Sequence, residues 1–140
     1  MNTVIKNYPK EKILFFDGED FTNINNELLK FGIMFKRETL TSQTIPISFG
    51  IPEQKIVKEI PQEKTLLIAK MIPGDKKSYI YNNEEDYYHG YQEAKFGLTT
   101  KKAGWDCLRH YEIIGNGCLP IFKEFDKCPK SIMTNWPSEL

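Results

Sequence analysis

The segment 104–122 constrains the fold of this chain more than any other. It reads as a short helix beginning near Asp106, a Gly115-Asn-Gly117 stop, and an apolar strand over residues 119–122. Glycine permits the positive φ that a tight turn from helix to strand requires. A helix that passes so quickly into a buried strand is typical of α/β proteins with parallel sheets.

Further apolar runs alternate with helix-length segments along the rest of the chain. In the first third, a strand over 12–16 precedes a helix over about 22–31 and a strand over 33–35. Later, strands are predicted over 65–72 and 96–100, with a helix over 84–95 between them, capped by Asn83. Residues 78–81 read as a short strand or a turn.

Prolines concentrate between the two halves of the chain. Pro46, Pro52 and Pro61 fall within residues 39–62, which favours an extended crossing segment over a helix or a central strand. We therefore expect a first Rossmann-like half over residues 1–49 and a second domain over 50–140. The second domain is expected to be incomplete at its C-terminus, because a doubly wound sheet needs a further helix after its last strand.

Composition excludes several functional classes. Nineteen basic and nineteen acidic side chains give no net charge, so no field gathers nucleic acid, and no nucleic-acid partner is expected. No apolar run reaches the ~20 residues of a membrane span, and the start lacks a signal-peptide core. An odd number of cysteines, three, argues against a disulfide framework and favours the cytoplasm.

Arg109 and Glu112 are the leading candidates for a binding site. With a helix beginning at Asp106, Cys107, Leu108, Tyr111 and Ile114 form its buried face, and Arg109 and Glu112 lie together on the other face, near Trp105. The simpler interpretation is a surface ion pair. The helix follows a strand, however, and its amino end with Lys101, Lys102 and Arg109 suits an anion. Gly115 and Gly117 would let backbone approach a ligand, and His110 could contact a sugar or act as a base.

This segment also resembles a known family. Arg109-His-Tyr-Glu112, followed by Gly117-Cys-Leu-Pro120 and an apolar strand, is similar to the donor-binding segment of GT-B glycosyltransferases of the exostosin-like group. The resemblance implies an α/β fold with a mostly parallel Rossmann-like sheet, as part of a GT-B architecture. It assigns Glu112 to the ribose hydroxyls and Arg109 to the diphosphate of a nucleotide sugar.

Other motifs offer alternatives. Asp17-Gly-Glu-Asp20 after an apolar strand suits either a divalent metal or, more simply, a solvated turn. Lys36-Arg37-Glu38 could approach phosphate, but a strand end with solvated charges is the simpler interpretation. Four potential zinc ligands lack the spacing of a structural site and are expected to be packed thiols and a histidine: Cys107, His110, Cys118 and Cys128. Tyr87, Tyr88 and Tyr91 have the helical spacing of core residues.

The predicted function is sugar transfer from a nucleotide-sugar donor to an unknown sugar or glycan acceptor, with no cofactor and no tightly held metal. Arg109 and Lys102 would neutralise the leaving diphosphate. No catalytic base is identified. Two alternatives stay open, a non-catalytic module that binds a nucleotide sugar or a protein, and a metal-dependent phosphotransfer enzyme centred on Asp17.

Overall fold

The computed structural model describes residues 2–137 of the chain. Met1, the first residue of the first predicted domain, and residues 138–140, the last three of the second predicted domain, lie outside the described residues. The described part divides into two compact units. The first consists of residues 2–48 with Ala103–Asp106 and Cys128–Pro137, and the second of Phe49–Lys102 and Cys107–Lys127.

The first unit contains a parallel sheet of three short strands in the order β1-β2-β3. Its elements are α1 (Asn2–Asn7), β1 (Leu14–Asp17), α2 (Asn26–Leu29), β2 (Ile33–Lys36) and β3 (Ile45–Pro46). The predicted helix over 22–31 is only one turn long, because it begins after its N-cap Asn25, which accepts a hydrogen bond from the Glu27 N–H, and ends at Leu29. Pro46 sits in the edge strand, where a missing donor costs nothing.

Two later segments belong to this unit because residues that follow β2 form hydrogen bonds with them. The Glu38 carboxylate accepts a hydrogen bond from the Asp106 N–H at 2.8 Å. Ser131 donates its hydroxyl to the Thr39 carbonyl at 2.7 Å. Such long-range contacts carry no local sequence signal, so the predicted boundary at residue 49 did not include the segments 103–106 and 128–137.

The second unit contains a parallel sheet in the order β4-β5-β6. Its elements are β4 (Leu66–Ile68), α3 (Glu84–Gln92), β5 (Ala94–Thr100), α4 (Leu108–Gly115) and β6 (Leu119–Lys123). The helix α3 ends three residues earlier than predicted, because β5 already begins at Ala94. Lys76–Ser78 form a 3-10 turn, so the alternative of a strand over 78–81 is wrong.

These two sheets confirm the predicted α/β class. The strands within each sheet are all parallel, and the arrangement is compatible with a partial Rossmann-like fold. Among residues 2–137, no helix is long and apolar enough to cross a membrane.

The core of the second unit lies where α3 and α4 meet the sheet. It comprises Ala69, Met71, Tyr91, Ala94, Ile113 and Cys118. Helix α4 packs closely against β5 at Gly97, where an added Cβ would lie 2.9 Å from Ile113 Cγ2 and 3.3 Å from Cys118 Sγ. Only glycine leaves room for this contact.

We predict that Gly97→Ala destabilises the protein by about 1–3 kcal/mol, because the extra methyl group overpacks the contact with Ile113. Urea unfolding measures the loss. Gly50→Ala is the matched control, since a Cβ at Gly50 meets nothing within 4 Å. Equal stability of the two variants would contradict the assigned packing.

Candidate functional site

A cavity of about 480 Å³ lies at the carboxyl end of β5 in the second unit. Three cationic side chains line it, those of Lys101, Lys102 and Arg109. The remaining lining residues are Met71, Pro73, Gly74, Tyr79, Tyr87 and Thr100. This is the edge of a parallel sheet at which α/β proteins bind ligands.

Arg109 is fixed against the end of β5. Its Nε donates to Thr99 Oγ1 at 3.3 Å, and its Nη2 donates to the Thr100 carbonyl at 3.2 Å. The side chain is half-buried. Across the part of the chain that the structure describes, no carboxylate forms an ion pair with it. A cation held in this way is available to an anionic ligand.

The opposite wall of the cavity is a tight turn after β4. Gly74 adopts a φ of +90°, which a side chain would strain, and its N–H donates to Tyr79 Oη at 3.1 Å. Sequence reasoning missed Pro73, Gly74 and Tyr79 as site residues. The available signal was their place in the loop that follows a strand parallel to β5, since the carboxyl ends of neighbouring parallel strands share one edge.

Glu112 is directed to α3 and does not line this cavity. Its Oε2 accepts the Tyr87 hydroxyl at 2.9 Å and its Oε1 accepts the Tyr88 hydroxyl at 3.2 Å. No ion pair joins Glu112 to Arg109 within residues 2–137, so the simpler interpretation as a surface ion pair is wrong. The sequence also predicted that Arg109 and Glu112 face the same ligand. The structure does not show this arrangement, because only Arg109 lines the cavity.

Both tyrosines remain hydrogen-bond donors at neutral pH. Burial, followed by Tyr91 and the Glu112 carboxylate, raises the pKa of Tyr87 far above its ordinary value of 10.0. Burial, then Glu84 and Glu112, raises the pKa of Tyr88 in the same direction. Tyr88 and Tyr91 are buried, which confirms the predicted core role of these two residues.

His110 is fully buried, so its interpretation as a helix-surface residue is wrong. Helix α4 begins at Leu108 with Cys107 as its N-cap, and the buried side chains are His110 and Ile113. Leu108 is 39% exposed, although the sequence predicted it to be buried. His110 Nδ1 lies 2.7 Å from Thr99 Oγ1, and its ring packs on Phe122. These contacts indicate a structural histidine.

Within residues 2–137, no disulfide joins Cys107, Cys118 and Cys128. Burial raises the pKa of Cys118 to about 11, which keeps it protonated and unreactive. Within the described residues, no group of three or more His, Cys, Asp or Glu side chains could hold a metal ion.

The remaining predicted site residues lie elsewhere. An added Cβ on Gly115 would meet Ile51 at 3.0 Å, and one on Gly117 would meet Ile60 at 2.9 Å. These two glycines therefore pack against the segment 51–60 and do not line the cavity. Gly117 does adopt the expected positive φ, +67°. Trp105 belongs to the first unit, whereas Arg109 belongs to the second.

Asp17 and Asp20, the candidate metal ligands, are paired with cations. Asp17 Oδ2 accepts from Lys36 Nζ at 2.7 Å, Asp17 Oδ1 accepts the Glu19 N–H at 3.0 Å, and Asp20 pairs with Arg37. Lys36, Arg37 and Glu38 are buried, so their interpretation as solvated charges is wrong. Burial alone would raise the pKa of Asp17, but the Lys36 hydrogen bond, the Glu19 N–H and the nearby positive charges together lower it below 3.8.

Comparison of the chain with protein-family models, curated proteins and solved structures finds no match. The resemblance to GT-B glycosyltransferases therefore stays a prediction, and the geometry of the second unit is the basis for any assignment of function.

We predict that Asp17→Asn costs about 2–3 kcal/mol of unfolding free energy at pH 7, because it leaves the buried Lys36 ammonium without its countercharge. The folded-state pKa of Asp17 lies below its unfolded value, so its stabilisation is present above pH 3.8 and lost as the pH falls through the folded pKa. Urea unfolding at pH 7 and at pH 2 measures both effects.

The difference between wild type and Asp17→Asn should shrink at the lower pH. Glu27→Gln is the control, because Glu27 and Lys30 form an exposed pair that contributes little. An Asp17→Asn penalty that is the same at both pH values would rule out the ion pair as its cause.

Proposed function

We propose that the second unit binds the diphosphate of a nucleotide sugar and that the chain acts in glycosyl transfer to a sugar or glycan acceptor. One observation carries the proposal: Arg109 is a half-buried cation without a carboxylate partner among the described residues, held at the carboxyl end of the central strand. Lys101 and Lys102 add positive charge to the same cavity.

The cavity suits such a ligand in size and in chemistry. About 480 Å³ lies within the ~300–1,000 Å³ of small-molecule sites. Arginine binds phosphate oxygens through two N–H groups in a fixed geometry, and lysine adds point charge. Tyr79 and Tyr87 supply aromatic surface for a sugar or a base.

In this function, the cations act on the leaving group. Negative charge develops on the diphosphate as the glycosidic bond breaks, and a preorganised cation stabilises that charge without reorganisation. The hydrogen bonds from Arg109 to Thr99 and Thr100 fix the guanidinium before the ligand arrives. His110 is unsuited to act as the catalytic base because it is fully buried.

The phosphotransfer alternative receives no support from the geometry around Asp17, because Lys36 and the Glu19 N–H occupy its two carboxylate oxygens. A cytoplasmic location is part of the proposal and is consistent with three cysteines that form no disulfide among the described residues.

We expect Arg109→Ala to weaken binding of nucleoside diphosphates about tenfold or more, because the site loses its oriented cation. Isothermal titration of wild type and variant with a panel of nucleoside diphosphates and with inorganic pyrophosphate measures the loss. Lys95→Ala is the charge-matched control, since Lys95 is exposed on β5 and does not line the cavity.

A donor-hydrolysis assay then separates an enzyme from a binding module. Binding with turnover supports a glycosyltransferase, and binding without turnover supports a module that only holds the donor. If the wild-type protein binds neither pyrophosphate nor any nucleoside diphosphate, the proposed function is wrong.

A further inference from the structure

The carboxylate of Glu112 already holds two hydroxyl groups. The Tyr87 hydroxyl lies 2.9 Å from Oε2 and the Tyr88 hydroxyl lies 3.2 Å from Oε1. One hydroxyl on each oxygen of a carboxylate is also the pattern that a vicinal diol makes. The two tyrosines therefore occupy the positions on Glu112 that two neighbouring sugar hydroxyls would take.

Tyr87 contacts Glu112 and also lines two cavities of the second unit. A second cavity of about 370 Å³ adjoins the cationic one, and both are lined by Met71, Tyr79 and Tyr87. Glu112 lines neither cavity. A ligand in this space meets Tyr87 first, and it reaches Glu112 Oε2 only after the Tyr87 hydroxyl has moved.

We propose that Tyr87 is an internal competitor for Glu112, whose hydroxyl a ligand with vicinal hydroxyls must displace, and that it thereby limits how much a ribose diol adds to affinity. This inference rests on the proposed function. Breaking the hydrogen bond between Tyr87 and Glu112 offsets part of the binding free energy that the incoming diol gains. Only a ligand that replaces this hydrogen bond can therefore displace the Tyr87 hydroxyl. A ligand that lacks the diol leaves Tyr87 in place.

Tyr88 has a different role. It is only 9% exposed, and its hydroxyl also lies 3.0 Å from Glu84 Oε1. Tyr88 lines neither of the two cavities that Tyr87 lines. It therefore stays in place and holds Glu112 Oε1 while Tyr87 exchanges with the ligand, which makes Tyr88 a positioning residue.

Tyr87→Phe tests the competition directly. The ligands are the tightest-binding nucleoside diphosphate of the panel above, its 2′,3′-dideoxy analogue and inorganic pyrophosphate. We expect the variant to bind the ribonucleotide about tenfold more tightly than wild type does, because no hydroxyl competes for Glu112 Oε2. Affinity for the dideoxy analogue and for pyrophosphate should not change.

Tyr79→Phe is the matched control. Tyr79 lines the same two cavities, and its hydroxyl accepts from the Gly74 N–H instead of donating to Glu112. It should leave the ratio of the ribonucleotide to dideoxy affinities unchanged. In the double variant Tyr87→Phe, Glu112→Gln, the selective gain should disappear.

The possible outcomes separate the two proposals. Suppose that the ribonucleotide binds, but Tyr87→Phe does not change the ratio of the ribonucleotide to dideoxy affinities, or Tyr79→Phe changes it equally. Either result would overturn the role of Tyr87 and leave the proposed function standing. The role of Tyr87 would also be overturned, and the proposed function left standing, if the protein bound pyrophosphate and the nucleoside added nothing to the affinity. Failure of the wild-type protein to bind any of these ligands would overturn both.

Discussion

The close contact between α4 and β5 at Gly97 fixes the geometry of the second unit. Without a side chain on Gly97, Ile113 packs directly on the strand. Two residues nearer the carboxyl end of the strand, Thr99 then accepts a hydrogen bond from Arg109 and lies within hydrogen-bond distance of His110. The position of the cation at the cavity therefore follows from a packing contact in the core, and not from the surface charge of the helix.

The buried cations of the first unit and Arg109 of the second unit have different kinds of partner. In the first unit, buried Lys36 and Arg37 each have an aspartate partner. Removing charged groups from water is costly, and such pairing offsets the cost within the fold. In the second unit, the described residues give Arg109 only neutral acceptors, a threonine hydroxyl and a backbone carbonyl. On the proposed function, an anionic ligand is the partner of this cation.

The sequence predicted what depends on local pattern. The parallel αβ alternation and the Asn83 cap of α3 are both local, and both are confirmed. The buried face of α4 was predicted wrongly, because it depends on where the helix starts and on which residues its side chains contact. Thr99 gives His110 a buried hydrogen-bond partner, and that contact has no sequence signature. Glu112 was assigned to solvent or ligand for a similar reason, since its tyrosine partners lie 24 and 25 residues earlier in the chain.

Although Arg109 and Glu112 are three residues apart on α4, their side chains have different partners in the structure. The same helix carries the cation toward the strand end and the carboxylate toward α3, where the Tyr87 hydroxyl occupies one of its oxygens. On the proposed function, recognition is therefore ordered. The diphosphate meets an open, preorganised site, and the hydroxyls must then exchange with a tyrosine. Charge provides affinity in the first step, and the competition for Glu112 limits how much the hydroxyls add to that affinity in the second.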